Sequence, residues 1–132
     1  MENMKGQTLK LKEDYTVVSI EDIGALLDVK KRCYYDVNES AYFILKLIDN
    51  GCFYEDVVPG LIAEFDVVEQ TAQVDSDSFI NELINMGLVD ISEETAERMP
   101  AVQPKKMRKP YTSPELTCNE VGILVGEAAT IG

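Results

Sequence analysis

From Thr8 to Val37 apolar positions alternate with polar ones or gather in short β-branched runs, a period of two that marks half-buried strands. Leu9 and Leu11 alternate with lysines, Tyr15 to Ile20 is rich in β-branched residues, and Ala25 to Val29 and Cys33 to Val37 follow. Gly24 and the triplet Lys30, Lys31, Arg32 punctuate the series. The pattern predicts three or four short antiparallel strands, the last being Arg32 to Asp36. Tyr34 and Tyr35 then face opposite sides of the sheet, one entering the core and the other lying outside.

At Asn38 the period changes to 3.6. Ala41, Ile44, Leu45 and Ile48 mark one helix face, with Asn38 as N-cap, Glu39 in the first turn and Gly51 as a stop after Asn50. A second helix over about Tyr54 to Phe65 buries Val58, Leu61, Ile62 and Phe65, which requires Pro59 to sit near its first turn. The third helix carries two conflicting signals. Short polar side chains in VDSDSF suggest a fresh N-cap at Asp75 or Ser76. Val68, Ala72, Ser76, Phe79, Leu83 and Met86 nevertheless recur at steps of three and four across the whole stretch. The longer pattern predicts one helix from about Glu69 to Met86, weak near Ser76. Gly87 ends it, and Leu88 to Ile91 reads as a short strand or extended turn.

Residues 92–108 have almost no apolar periodicity and contain SEETAER, Pro100, Pro104 and a basic knot, so they read as a linker in which Glu93 to Arg98 extends at most one helical turn. As a flexible coil, about 17 residues span roughly 23 Å, against a radius of gyration of about 13 Å for a 100-residue body. Residues 109–132 can therefore fold back. Pro110 and Pro114 make Lys109 to Thr117 extended, and Tyr111, Pro114 and Leu116 give it apolar groups. It has no partner strand of its own, and an isolated strand is unstable in water. Either another surface receives it, or it is a disordered terminus.

A chain of 132 residues makes one domain plus an appendage. The formal net charge of -12 repels phosphate backbones, and no Lys or Arg lies between Asp66 and Asp90, where a DNA-reading helix would need them. The four bases of residues 99–132 are Lys105, Lys106, Arg108 and Lys109, so a basic knot faces an acidic body. Histidine is absent and Cys33, Cys52 and Cys118 lack short ligand spacing, which excludes Cys/His catalysis and argues against a zinc site. With no apolar run near the roughly 20 residues of a membrane span and no secretion signal at the start, a cytoplasmic protein that engages neither membrane nor nucleic acid is expected.

Strands, three helices and a final short strand make an α+β, winged-helix-like order. Within it YYDVNESAYFILKLIDNG, YEDVV and FINELINMGLVDI resemble the PqqD family, or RiPP recognition elements, over roughly Leu9 to Ile91. The phrases are a short strand, an Asn-centred helix start and an ending carried by Phe79, Ile80, Leu83, Gly87, Leu88 and Val89. The resemblance implies a non-catalytic domain without cofactor or metal, built as a three-stranded antiparallel sheet against three helices. It also implies binding of a leader peptide as a further edge strand beside the third helix.

PYTSPELT, with Tyr111, Pro114 and Leu116, resembles the YxxPxL motif of lasso-peptide leaders, and Gly122 fits the glycine that often follows. Thr130, Ile131 and Gly132 resemble the leader's penultimate threonine, its last residue and the first core glycine, with Met99 or Met107 as an original start. The expected organisation is a recognition domain over 1–91, a flexible linker over 92–108 and a leader segment over 109–132. It arises by engineering, by natural fusion, or as a natural extension that imitates a leader. Tyr111 to Thr117 is expected to pair antiparallel with Arg32, Cys33, Tyr34, Tyr35 and Asp36, its anchors filling pockets floored by that strand and by Phe79, Ile80 and Leu83, in cis or swapped between two chains. Asn119 to Gly132 is expected to stay free for cleavage. The implied partners are a leader peptidase, which reads Thr130, and a lasso cyclase. A winged-helix DNA-binding regulator, or a small regulatory module with a disordered tail, are the alternatives.

Overall fold

The computed structural model describes residues 6–20, 23–92 and 107–120. Four strands open the chain, β1 (Thr8–Leu11), β2 (Tyr15–Ile20), β3 (Ile23–Asp28) and β4 (Cys33–Val37), followed by α1 (Glu39–Asp49). Then come β5 (Cys52–Phe53), a 3-10 turn over Tyr54–Asp56, α2 (Val57–Glu64), α3 (Glu69–Asn85), β6 (Val89–Ser92) and β7 (Leu116–Glu120). The class is α+β, as the order of periods predicts. No helix among the described residues is long and apolar enough to cross a membrane.

Two antiparallel sheets form, in the orders β2-β3-β4-β7 and β5-β1-β6. The meander β2-β3-β4 is the expected three-stranded sheet. β1 does not join it, because Leu9 and Leu11 pair with Ile91 and Val89 of β6, and Leu9 also pairs with Cys52 of β5. Lys12 N donates to Leu88 O and so continues that direction away from β2. Alternation along β1 reports a half-buried strand but not its distant partner. The body also extends one residue further than expected, since Ser92 ends β6 and its carbonyl accepts from Thr8 Oγ1. Residues 93–106, the bulk of the expected linker, lie outside the described residues.

The helices follow their apolar faces. Ala41, Ile44, Leu45 and Ile48 of α1 have no exposed surface, Asn38 Oδ1 accepts from Ala41 N, and Gly51 turns the chain with φ +78. Pro59 is the third residue of α2, where its missing N–H leaves no bond unmade. α3 is unbroken through Asp75 and Ser76. Val68, expected on its buried face, is 67% exposed because it is the N-cap, outside the helical repeat.

Phe65, Phe79, Leu26, Leu61, Ile80, Leu83 and Leu88 fill the core between the helices and the sheets. One close approach locks sheet to helix. A Cβ on Gly24 of β3 would stand 2.5 Å from Tyr42 Cδ1 of α1. Gly24→Ala is therefore expected to lower unfolding stability by about 1–3 kcal/mol, read from a chemical denaturation midpoint with unchanged slope.

Candidate functional site

β4 is the strand that exposes an edge to the chain's own tail. β7 pairs with it antiparallel in the register Cys33↔Glu120, Tyr34↔Asn119, Tyr35↔Cys118, Asp36↔Thr117 and Val37↔Leu116. Asn38 N donates to Glu115 O at 3.3 Å, which sets the phase of the ladder. Every second pair from there, Asp36 with Thr117 and Tyr34 with Asn119, is then a hydrogen-bonded pair. Cys33, Tyr35 and Val37 occupy the intervening positions, where opposed side chains approach more closely.

The edge is the expected one, but the paired segment is not. Residues 116–120 form the strand, and of the expected stretch Tyr111 to Thr117 only Leu116 and Thr117 belong to it. The reason lies in α1: β4 ends at Val37, so residues 109–115 run past the strand's end and across the start of the helix. There side chains hold Tyr111 to Ser113, while main-chain bonds meet Lys109 and Glu115 at either end. Arg32 is likewise no strand residue; it closes the β3–β4 turn with φ 58, a left-handed conformation that breaks pairing. Asn119 and Glu120, expected to be free, lie in β7. Thr130, Ile131 and Gly132, like Gly122, Lys105, Lys106 and Met99, lie outside the described residues.

The tail is gripped at three places. At its start Lys109 bridges Phe65 in parallel, with Lys109 N donating to Glu64 O at 3.0 Å and Asp66 N to Lys109 O at 2.8 Å. Arg108 Nη1 donates to Ile62 O at 3.0 Å, and ion pairs join Arg108 to Asp66 (3.3 Å) and Lys109 to Glu64 (3.3 Å) and Glu39 (3.8 Å). These two bases thus meet the acidic body as their charge suggests. Exposed pairs of this kind contribute about 0.2–1 kcal/mol each.

Next, the Tyr111 ring stands edge-on to Phe65 at 6.1 Å, and Phe65 stands edge-on to Phe43 at 5.7 Å. The Tyr111 hydroxyl donates to Asp75 Oδ2 at 2.8 Å, and Ser113 Oγ donates to the same oxygen at 2.9 Å. Burial first, then the Asp75 hydrogen bond and charge, push the Tyr111 phenol above its ordinary pKa. Docking should therefore respond to alkali. The docked state holds the phenol proton more tightly than the free tail, so docking is at full strength below the free tyrosine pKa of about 10. It weakens as pH rises beyond that value. An NMR titration of residues 116–120 is expected to show release above that pH, and Tyr111→Phe to remove the tail-specific step. Tyr35 and Tyr54, pushed up to about 12 mainly by burial, make the body respond to alkali over the same range.

Third, Asn38 serves helix and tail together. Its Oδ1 accepts from Ala41 N at 3.1 Å and Glu115 N at 3.0 Å, while Nδ2 donates to Ser113 O at 2.7 Å. Beside it Ser40 Oγ donates to Thr112 O at 2.5 Å. Asn38→Ala is expected to remove about 1 kcal/mol of capping and, separately, two tail bonds at about 0.5–1.5 kcal/mol each. Comparing the drop in thermal unfolding temperature with the shift of the tail resonances separates the two effects.

Tyr111 and Leu116 pack on the core cluster, and Pro114 is half-buried. Phe79, Ile80 and Leu83, expected to floor the pockets, are 2%, 0% and 0% exposed and belong to the interior of that cluster. What α3 presents to Tyr111 and Ser113 is Asp75. Sequence reasoning missed Asp75, Ser40 and Phe65 as tail contacts and read Asn38 only as a cap. The signal was present in VDSDSF: an Asp with cap-like neighbours inside a continuous helix is an acceptor left over for something outside it.

Three comparisons bear on this arrangement. The family model described as Coenzyme PQQ synthesis protein D (PqqD) matches residues 24–89, half of the chain's 132 residues and all within the body. A solved structure described as TbiB1 in complex with the TbiA(beta) leader peptide is similar at a TM-score of 0.55 and 25% identity, over 67% of this chain and 99% of that one. No curated protein matches.

Proposed function

This chain belongs to the PqqD family, and on that footing we propose that it is a non-catalytic recognition domain that binds a leader peptide as an added strand. Its own residues 109–120 are then a leader carried on its receptor. The observation that carries this reading is the coincidence of two modes of capture on one tail. Main-chain pairing on β4 and the Asn38 bonds to Ser113 O and Glu115 N supply affinity without regard to sequence, while Asp75 and Phe65 select the hydroxyls and ring of PYTSPELT. Similarity to a protein solved with a leader peptide supports the same use.

In this reading the leader belongs to a lasso-type precursor. The domain presents residues beyond Glu120 to a leader peptidase, with Thr130 read and the bond after Ile131 cut, and to a cyclase that builds the product. Tyr111, Pro114 and Leu116 are the anchors, with Cys33 to Asp36 as the receiving strand. About 17 residues of linker, spanning roughly 23 Å as a coil, are enough for docking in cis, and two chains can also exchange tails. A winged-helix role on DNA would require a basic α3, and α3 carries only acids.

A direct test uses the full chain with Tyr111→Ala and Leu116→Ala, which vacates the groove. A synthetic peptide of residues 107–120 is expected to bind this variant and a scrambled peptide is not. Equal binding of both would remove leader recognition and leave an unspecific sheet edge.

A further inference from the structure

Cys33, Cys52 and Cys118 are all free thiols, the first two buried and the third exposed. Cys33 in β4 and Cys118 in β7 share a face of the sheet. Tyr35 stands opposite Cys118, and Cys33 lies two residues before Tyr35. Both occupy the positions between hydrogen-bonded pairs, where side chains are closest, and strand twist draws one of the two diagonals together. The register thus sets the two thiols on one diagonal of the ladder, near enough that, after burial, Cys118 raises the Cys33 pKa. Opposite Cys33 on its other side stands Asp28 of β3, which is 2% exposed. Asp28 Oδ1 accepts from Lys31 N, while Oδ2 is buried with no hydrogen-bond partner among the described residues.

We propose that Cys33 and Cys118 are a redox latch, a thiol pair that a low-molecular-weight disulfide converts into an interstrand disulfide, fixing the tail covalently on β4. The inference rests on the strand-addition reading, because the pair exists only while β7 lies on β4. Exposed Cys118 reacts first: its thiolate attacks the small disulfide, forms a mixed disulfide and releases one small thiol. Cys33 then attacks Cys118 Sγ, and its proton passes to the departing sulfur, which leaves as the second small thiol. Two protein thiols are oxidised and one small disulfide is reduced to two thiols, so electrons balance. Burial, then the neighbouring Cys118 and Asp28, raise the Cys33 pKa, so the thiol is protected until its partner is activated.

Closing the bond requires the Cα atoms to come within about 4.4–6.8 Å. β7 is the outermost strand of its sheet and is paired on one side alone, so the closing movement breaks no second ladder. The consequence is a leader that cannot leave its receptor under oxidising conditions and returns to reversible docking on reduction. Cys52, almost fully buried in β5 and pushed up to about 12 by burial and then Asp56, is the internal control.

The test treats the full chain with oxidised glutathione and maps its peptides without reduction. The expected result is loss of two hydrogen masses and a Cys33–Cys118 linked peptide, absent from Cys33→Ser and Cys118→Ser, with Cys52 unmodified. A covalent dimer joined through the same two residues supports the latch in its swapped form. Glutathione retained on Cys118 with Cys33 still free, while β4 amides remain protected from exchange, overturns the latch and leaves strand addition standing. Unprotected amides at Tyr34 and Asp36 in the untreated chain overturn both.

Discussion

Replacing Tyr111 and Leu116 together with alanine is expected to release residues 109–120 from the body. Tyr111 and Leu116 are partly buried, so each contributes part of the roughly 1.5–3 kcal/mol of full burial, and the Tyr111 bond to the Asp75 carboxylate adds about 1.5–3 kcal/mol. On the other side stands the tether, which supplies an effective concentration near millimolar. If the free peptide binds with micromolar affinity, docking in cis is favoured by about a thousandfold, or about 4 kcal/mol. The paired substitutions remove a comparable amount, enough to free a large share of the tails. Shifts of residues 116–120 should move toward coil values, whereas Tyr111→Phe, which keeps the ring on Phe65, should leave most of the tail docked. A tail that stays ordered in the double variant would assign docking to the main chain alone.

The same arithmetic gives the second large effect. Because the wild-type groove is already filled, an added 107–120 peptide must compete with the tether, and its apparent affinity should be about 10²–10³ times weaker than for the double variant. Calorimetry on the two proteins at equal concentration reads this ratio. Equal affinities would mean that the groove is open in the wild type. Swapped tails give the same competition but a mass that rises with concentration, so light scattering distinguishes the two arrangements.

Much of the fold is legible in the chain because local periods decide it. The α1 face from Ala41 to Ile48 and the 3.6 repeat through α3 identify helices irrespective of partners. The partner of β1 is not legible, since it is chosen some eighty residues away by β6. The candidate site divides in the same manner. Tyr111, Pro114 and Leu116 stand out because prolines and an aromatic group mark an extended segment that needs a receiver. The register escaped because it is set by where β4 stops and α1 begins, so a cap residue, Asn38, decides that 116–120 and not 111–117 forms the ladder. Asp75 escaped because an acid on a helix usually faces water, and among the described residues its partners are the tail's two hydroxyls.

Amide exchange on β4 tests the central claim most directly. The phase set by Asn38 and Glu115 points the Tyr34 and Asp36 amides at β7 and the Tyr35 amide at β3. Slow exchange is expected at all three in the wild-type chain, with loss of protection at Tyr34 and Asp36 alone when Tyr111 and Leu116 become alanine. Fast exchange at Tyr34 and Asp36 beside a protected Tyr35 in the wild-type chain would contradict it, because the edge of β4 would then be open.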